Sequence, residues 1–296
     1  MSPIRLLDYT GSVFADSFNL GDDIQTLAVS RLVPHVDGYV CREVLDSVDT
    51  PCTVPMNGYF MNTRHWPPSN AVRPVFFAFH LAAEAQDWLC SDASLEYLRR
   101  WQPIGCRDRG TQALLSARGV ETYYSRCLSL TLPRREREPE NGQVFLVGLT
   151  PAARQAVPKA LRRGAVSVDQ ARVRLPITDG ELKRALASDL LEQYSQRARL
   201  VITSKIHCAM PCIAMGIPVV FLYDASRRDD YRVQLIDELV GIHYVHQHGV
   251  LARLRNHWLG RRIDWSPAAV DIEPLKKDIA ADFANAFARV HGEIGV

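Results

Sequence analysis

Hydrophobic positions along the chain fall into two kinds of run. Short apolar stretches bounded by Gly, Pro or Asp read as strands, and stretches with apolar residues three and four apart read as helices. In the first half this predicts strands at Ile4–Tyr9, Cys52–Met56, Pro74–Phe79, Gln102–Cys106 and Glu121–Tyr124. Helices are predicted near Asp22–Leu32, Ser94–Trp101 and Arg109–Ala117, the last stopping before Gly119 as a helix C-terminus should. The second half repeats the alternation, with strands at Val144–Leu149, Leu200–Thr203 and Pro218–Leu222 and helices near Glu181–Gln196, His207–Met215 and Asp230–Leu239. A closing stretch, Glu273–Ile294, carries Leu275, Ile279, Phe283, Phe287 and Val290 on one helical stripe that could pack against either half.

Strands alternating with helices in this way imply an α/β protein whose parallel sheets are covered by helices on both faces. Pro133–Gln143 combines charge, proline and glycine without apolar periodicity, the signature of a linker. The expected architecture is therefore two Rossmann-like, doubly wound domains, residues 1–132 and 144–296, joined by a linker at 133–143.

Composition narrows the function classes. The 296 residues are 47% hydrophobic, enough for sizeable cores, and 35 basic against 33 acidic side chains leave a formal charge of +2. No bulk field would draw such a chain onto nucleic acid or an anionic membrane, so an anionic ligand must be bound locally. Seven cysteines without a CxxC pair suggest no disulfide framework and fit a reducing, cytoplasmic setting. Cys208 and Cys212 share a helix face but lack the further ligands of a zinc set, and His243, His246 and His248 read as an edge strand and loop, so no metal is expected. No run of about 18 apolar residues suggests a membrane span, and MSPIRLLDYTGSVF lacks the pattern of a secretory leader.

Three segments carry candidate chemistry, each at the carboxyl end of a predicted strand, where open α/β sheets form their ligand crevices. In FNLGDDIQTLA, Asn19 can hold a turn and Gly21 allows close backbone approach. Asp22 or Asp23 can cap the following helix or present a carboxylate to a sugar hydroxyl. In IGCRDRGT, Arg107 and Arg109 lie with Asp108 and Thr111 on the turn after a strand. There the arginine fork can grip a dianion, and Asp108 can cap the helix or orient an arginine. Tyr123, Tyr124 and Ser125 follow, Ser125 on a polar turn. In TSKIHCAMPCIAMGIPVV, a buried strand feeds directly into a helix, bringing Ser204, Lys205 and His207 to the strand end. His207 can exchange a proton near neutral pH and Lys205 offers a fixed positive charge, a pairing that fits the departure of a phosphate. Arg227 and Arg228, just past the next strand, are further candidates for an anion.

In this order and spacing, from Leu6 to Leu222, the three segments resemble the polysaccharide pyruvyl transferase family. The resemblance implies two Rossmann-type domains facing across a cleft, similar to GT-B glycosyltransferases. It implies transfer of a pyruvyl group from phosphoenolpyruvate to a sugar or glycan acceptor, lipid-linked acceptors included, with ketal formation and release of phosphate. No cofactor is required. On that reading the donor-binding arginine corresponds to Arg107 and the catalytic histidine to His207, with Lys205 as a further anion clamp and Asp22 or Asp23 on the acceptor side. The chain departs from the family pattern at Lys205, where arginine is frequent, and at Cys208, where a small residue such as glycine often follows the histidine. Two alternatives stand beside this reading: a GT-B glycosyltransferase using a nucleotide-sugar, and a glycan-binding relative without activity. Oligomeric state is left open.

Overall fold

A computed structural model of the protein describes residues 2–10, 18–60, 63–171, 173, 179–249 and 251–292. The first half contains β1 (Arg5–Asp8), α1 (Leu20–Ser30), β2 (Gly38–Cys41), β3 (Cys52–Phe60), β4 (Val72–Leu81), α2 (Gln86–Leu89), α3 (Asp92–Arg100), β5 (Ile104–Cys106), α4 (Arg109–Ser116) and β6 (Thr122–Tyr124). The second continues with β7 (Gln143–Val147), α5 (Pro151–Ala156), α6 (Lys159–Arg162), β8 (Val166–Val168), α7 (Gly180–Arg197), β9 (Ala198–Thr203) and α8 (Ile206–Ala214). It ends with β10 (Val219–Asp224), α9 (Gln234–Val240), β11 (Ile242–Val245), α10 (Ala252–Gly260) and α11 (Glu273–His291).

Both sheets are parallel, as the alternation of elements predicts. In the first, β3-β4-β5-β6 lie in sequence and the β2-β1 pair is joined to β3 by the parallel bridge Ile4–Thr53. In the second the order is β8-β7-β9-β10-β11. Winding therefore reverses between β1 and β3 and again between β7 and β9, and the crevices for ligands open at the carboxyl ends beside such reversals. The loop entering α1 follows β1, and the turn carrying His207 follows β9.

Several boundaries differ from the sequence reading for physical reasons. Asn57-Gly58 looks like a turn, yet β3 runs through it to Phe60 with a register shift against β4. Gly58 takes a left-handed φ of 100°, and a Cβ there would stand 3.3 Å from Gln25 Oε1, so the bare glycine makes room for Gln25. The predicted helix at Asp230 begins only at Gln234, because the Asp230 carboxylate first caps a 3-10 turn over Tyr231–Val233. Strands β2 and β8, of four and three residues, were too short to show a period. The closing helix ends at His291, and Ile294 lies outside the described residues.

The largest apolar cluster spans both halves, running from Ile4 and Phe77 through Ile24 to Cys212, Phe221 and Phe283. Helix α11 returns to the first sheet. Phe283 meets Phe77 edge-on at 5.4 Å, Arg73 donates to the Val290 carbonyl at 2.6 Å, and Thr53 Oγ1 lies 3.1 Å from His291 Nδ1. Backbone bonds also join the halves beside α1: Leu20 N–H donates to the Gln170 carbonyl, and Phe18 pairs with Val173. Lys183 on α7 donates to the Tyr9 carbonyl at 2.7 Å. These ties fix the start of α1 against the second half, where the site lies.

Candidate functional site

The start of α1 is built by Asn19, whose side chain accepts from Gly21 N–H at 3.0 Å. The cap is thus Asn19, neither Asp22 nor Asp23, which fall inside the first turn. Gly21 is required by a close approach: a Cβ there would stand 3.0 Å from His207 Cβ and 3.4 Å from Nδ1. The first and third sequence segments therefore touch. Asp23 is buried with Oδ2 unpartnered, and burial raises its carboxyl to about 7, opposed by Lys183 and reinforced by Asp22. Burial also raises Asp22, against the charges of Arg42, Lys183 and Arg107. Gln25, one turn further, accepts from Arg107 at 3.3 Å.

Strands β4 and β5 deliver the next group. Arg107 follows β5 and is only 4% exposed, a buried position rather than a solvated turn. Its backbone N–H bonds the Phe79 carbonyl, its guanidinium is steered by Gln25, and Asp108 Oδ2 lies 3.9 Å from Nε. Asp108 caps α4 through Thr111 N–H at 2.8 Å and meets His80 Nδ1 at 2.6 Å through its other oxygen. Arg109 and Thr111 belong to the first turn of α4 rather than to the connection, and exposed Arg109 stacks over Tyr124. Ser125 has a structural job: its hydroxyl donates to the Cys106 carbonyl and accepts from the N–H of Ala78, a residue with φ 54°.

His80, at the end of β4, is a site residue the sequence reading missed. Burial, followed by the Arg107 charge, lowers its imidazole to about 4 despite the hydrogen bond to Asp108. It is therefore neutral, with Nδ1–H donating to Asp108, whose carboxyl burial raises but the bond from His80 and the nearby charges hold below its ordinary range. The available signal was a lone histidine in the apolar run VFFAFHL at a parallel strand's carboxyl end.

The turn after β9 supplies Ser204, Lys205 and His207. Lys205 lays its methylenes over Gly148 at the end of β7, where a Cβ would come within 2.3 Å of Cε. Ser204 N–H bonds the Val147 carbonyl. His207 lies in the first turn of α8 with φ −85° and ψ 23°, outside regular helix. The reason is four residues on: Pro211 has no N–H for the His207 carbonyl. That carbonyl accepts instead from Gln170 Nε2 at 3.0 Å, and Gln170 Oε1 accepts from Tyr194. His207 Nε2 is buried without a partner. Burial first, then the charge of Arg107, hold its imidazole well below its ordinary range.

Arg228, expected at this site, is exposed and stacks on Tyr244 at 4.5 Å. The arginine of this stretch whose charge reaches His80 and His207 is Arg232, set by two bonds to Asp230 at 2.8 and 2.6 Å. Tyr231 packs on Gly110, where a Cβ would come within 2.2 Å of its ring, and its ring lies 5.9 Å from that of His80. Tyr231 and Arg232 were hidden because a helix was expected to begin at Asp230. A concavity of about 1600 Å³ runs beside Pro133–Asn141 and the far end of α1, and none of the residues gathered around His207 lines it.

The geometry thus gathers Gly21, Gln25, His80, Arg107, Asp108, His207 and Arg232, with the charges of Arg107 and Arg232 acting on an imidazole whose buried Nε2 lacks a partner. Among known proteins, no curated relative matches the chain. A crystal structure of a functionally uncharacterised protein from Klebsiella pneumoniae aligns over 78% of this chain and 88% of its own, with 10% identity and a TM-score of 0.43. The family read from the three motifs is borne out over the stretch that carries Arg107 and His207: residues 86–226 match the model of the polysaccharide pyruvyl transferase family.

Proposed function

We propose that this chain transfers a pyruvyl group from phosphoenolpyruvate to hydroxyls of a sugar in a polysaccharide or its precursor. The observation that carries the proposal is the buried, unpartnered His207 Nε2 beside the Arg107 charge, within the segment matched by the family. The two α/β units, 1–132 and 144–296, would receive acceptor and donor on either side of the contact between Gly21 and His207.

In the proposed reaction a proton is added to the enol methylene carbon of the donor, giving an oxocarbenium-like centre that one sugar hydroxyl attacks as it loses its proton. Phosphate leaves, and a second hydroxyl closes the ketal. One donor and one diol become one ketal and one phosphate. Arg107, with Lys205, would grip the donor's carboxylate and phosphate oxygens, and Arg232 adds charge from the same side.

Burial and the Arg107 charge hold the His207 imidazole well below its ordinary range, so its acid role depends on the donor. A multiply charged anion set between it and Arg107 stabilises the imidazolium and primes proton delivery. Asp23, raised to about 7, suits the acceptance of a hydroxyl proton near neutral pH, with Asp22 beside it. Asn19 and Gly21 shape that side, Ser204 stands at the donor end, and Asp108 orients His80 and Arg107.

The test is incubation of the purified protein with phosphoenolpyruvate and candidate acceptor glycans. Phosphate released only when acceptor is present, with an acid-labile ketal in the product, supports the proposal. Consumption of a nucleotide-sugar in its place, or glycan binding without turnover, overturns it.

A further inference from the structure

The three most exposed large apolar side chains among the described residues, Leu251 at the N-cap of α10 and Leu254 and Trp258 within it, at 55–61% exposure, lie at spacings of three and four. Ala252 and Asn256 form the buried face of that helix, and the Asn256 side chain anchors it by two bonds to the backbone of His246. The apolar stripe is therefore presented outward by a helix fixed to the second sheet. Exposure of three neighbouring large apolar groups is costly unless something covers them.

Charge identifies what covers them. Residues 246–263, HQHGVLARLRNHWLGRRI, hold four arginines and three histidines and no acidic residue, in a chain whose whole net charge is +2. Arg253, Arg255, Arg261 and Arg262 are exposed, and Arg261 lies over the Trp258 ring at 6.0 Å. Arg228 and Tyr244 extend the same surface across a shallow groove of about 500 Å³. A helix with leucine and tryptophan outward and arginines around them matches the interface between acyl chains and anionic headgroups: the apolar stripe enters the boundary while the guanidinium groups meet phosphates.

We infer that this face of α10 docks the protein onto an anionic lipid bilayer, as a peripheral contact. No helix among the described residues is long and apolar enough to cross a membrane, so the contact lies on the surface. On the proposed function, this docking would bring the chain to acceptors held in the bilayer.

The test is co-sedimentation of the full chain with vesicles of phosphatidylglycerol mixed with phosphatidylcholine, and with phosphatidylcholine alone. Sedimentation with the anionic vesicles, weakened by added salt and absent with the neutral ones, is expected. Leu254→Ser with Trp258→Ser, and separately Arg255→Glu with Arg262→Glu, are each expected to lower the partition about tenfold or more while leaving the thermal melt in place. The inference is overturned by failure to bind anionic vesicles, or by binding that both variants retain. A solution dimer that both variants dissolve would instead assign the face to a second copy of the chain.

Discussion

The Gln170 side chain donates to the His207 carbonyl at 3.0 Å, in place of the backbone bond that Pro211 cannot make. A proline one turn into α8 thus frees the residue that the site needs out of regular helix, and a glutamine from the segment after β8 holds it there. Tyr194, buried in α7, fixes that glutamine in turn at 3.1 Å.

Gln170→Leu leaves the His207 carbonyl and the Tyr194 hydroxyl unpaired, at a cost of roughly 1–3 kcal/mol to folding. Pro211→Ala restores an N–H to the helix and should leave stability unchanged or higher while lowering turnover, because His207 can then relax into helical geometry. Thermal melts and initial rates on both variants separate the two effects. Pro211→Ala at full activity would show that the displaced conformation has no functional weight.

Gly21→Ala forces a methyl against His207 Cβ and the Asn19 cap, both at 3.0 Å from its position. Neither neighbour is the free end of a flexible chain. We expect a stability loss of about 1 kcal/mol and a turnover loss of tenfold or more, read from phosphate release. An unchanged rate would mean that the start of α1 does not govern the histidine.

Arg107→Lys keeps the charge but loses the fork held by Gln25. Its main effect should be a raised KM for phosphoenolpyruvate, whereas His207→Ala should lower kcat by about 100-fold or more. Steady-state kinetics distinguish these, and equal losses in both parameters for the two variants would contradict separate roles.

Asp23 titrates at about 7 in the folded chain against 3.8 when unfolded. Between those values the folded state holds the extra proton, so this residue's contribution to stability falls as pH rises from about 4 to 7 and is level above. Asp23→Asn removes that dependence. The variant should gain on the parent as pH rises through this window, by up to roughly 4 kcal/mol, in urea melts run at several pH values. A constant difference across the window would place Asp23 in water.

The expectations for Arg107 and Lys205 show how far residue type alone reaches. Arginine and lysine at strand ends were visible as candidates because parallel α/β sheets bind ligands there, and the structure places both at such ends. What keeps Arg107 from a solvated turn is Gln25, eighty-two positions earlier in the chain. Arg228 and Arg232 had equal claims by type; the bonds to Asp230 direct Arg232 to the site, while Arg228 turns to Tyr244.

The sequence by itself determined the α/β class, most of the strands, and the three segments that supply the candidate site, because periodicity and strand-end placement are local properties of the chain. Tertiary structure decided which residues meet: Gly21 with His207, His80 with Asp108, Gln170 with the carbonyl freed by Pro211. Those contacts depend on the order in which two sheets are wound and on partners far apart in the chain, and no periodicity records them. It also decided the protonation states, since burial and neighbouring charge set whether His80, His207 and Asp23 carry a charge.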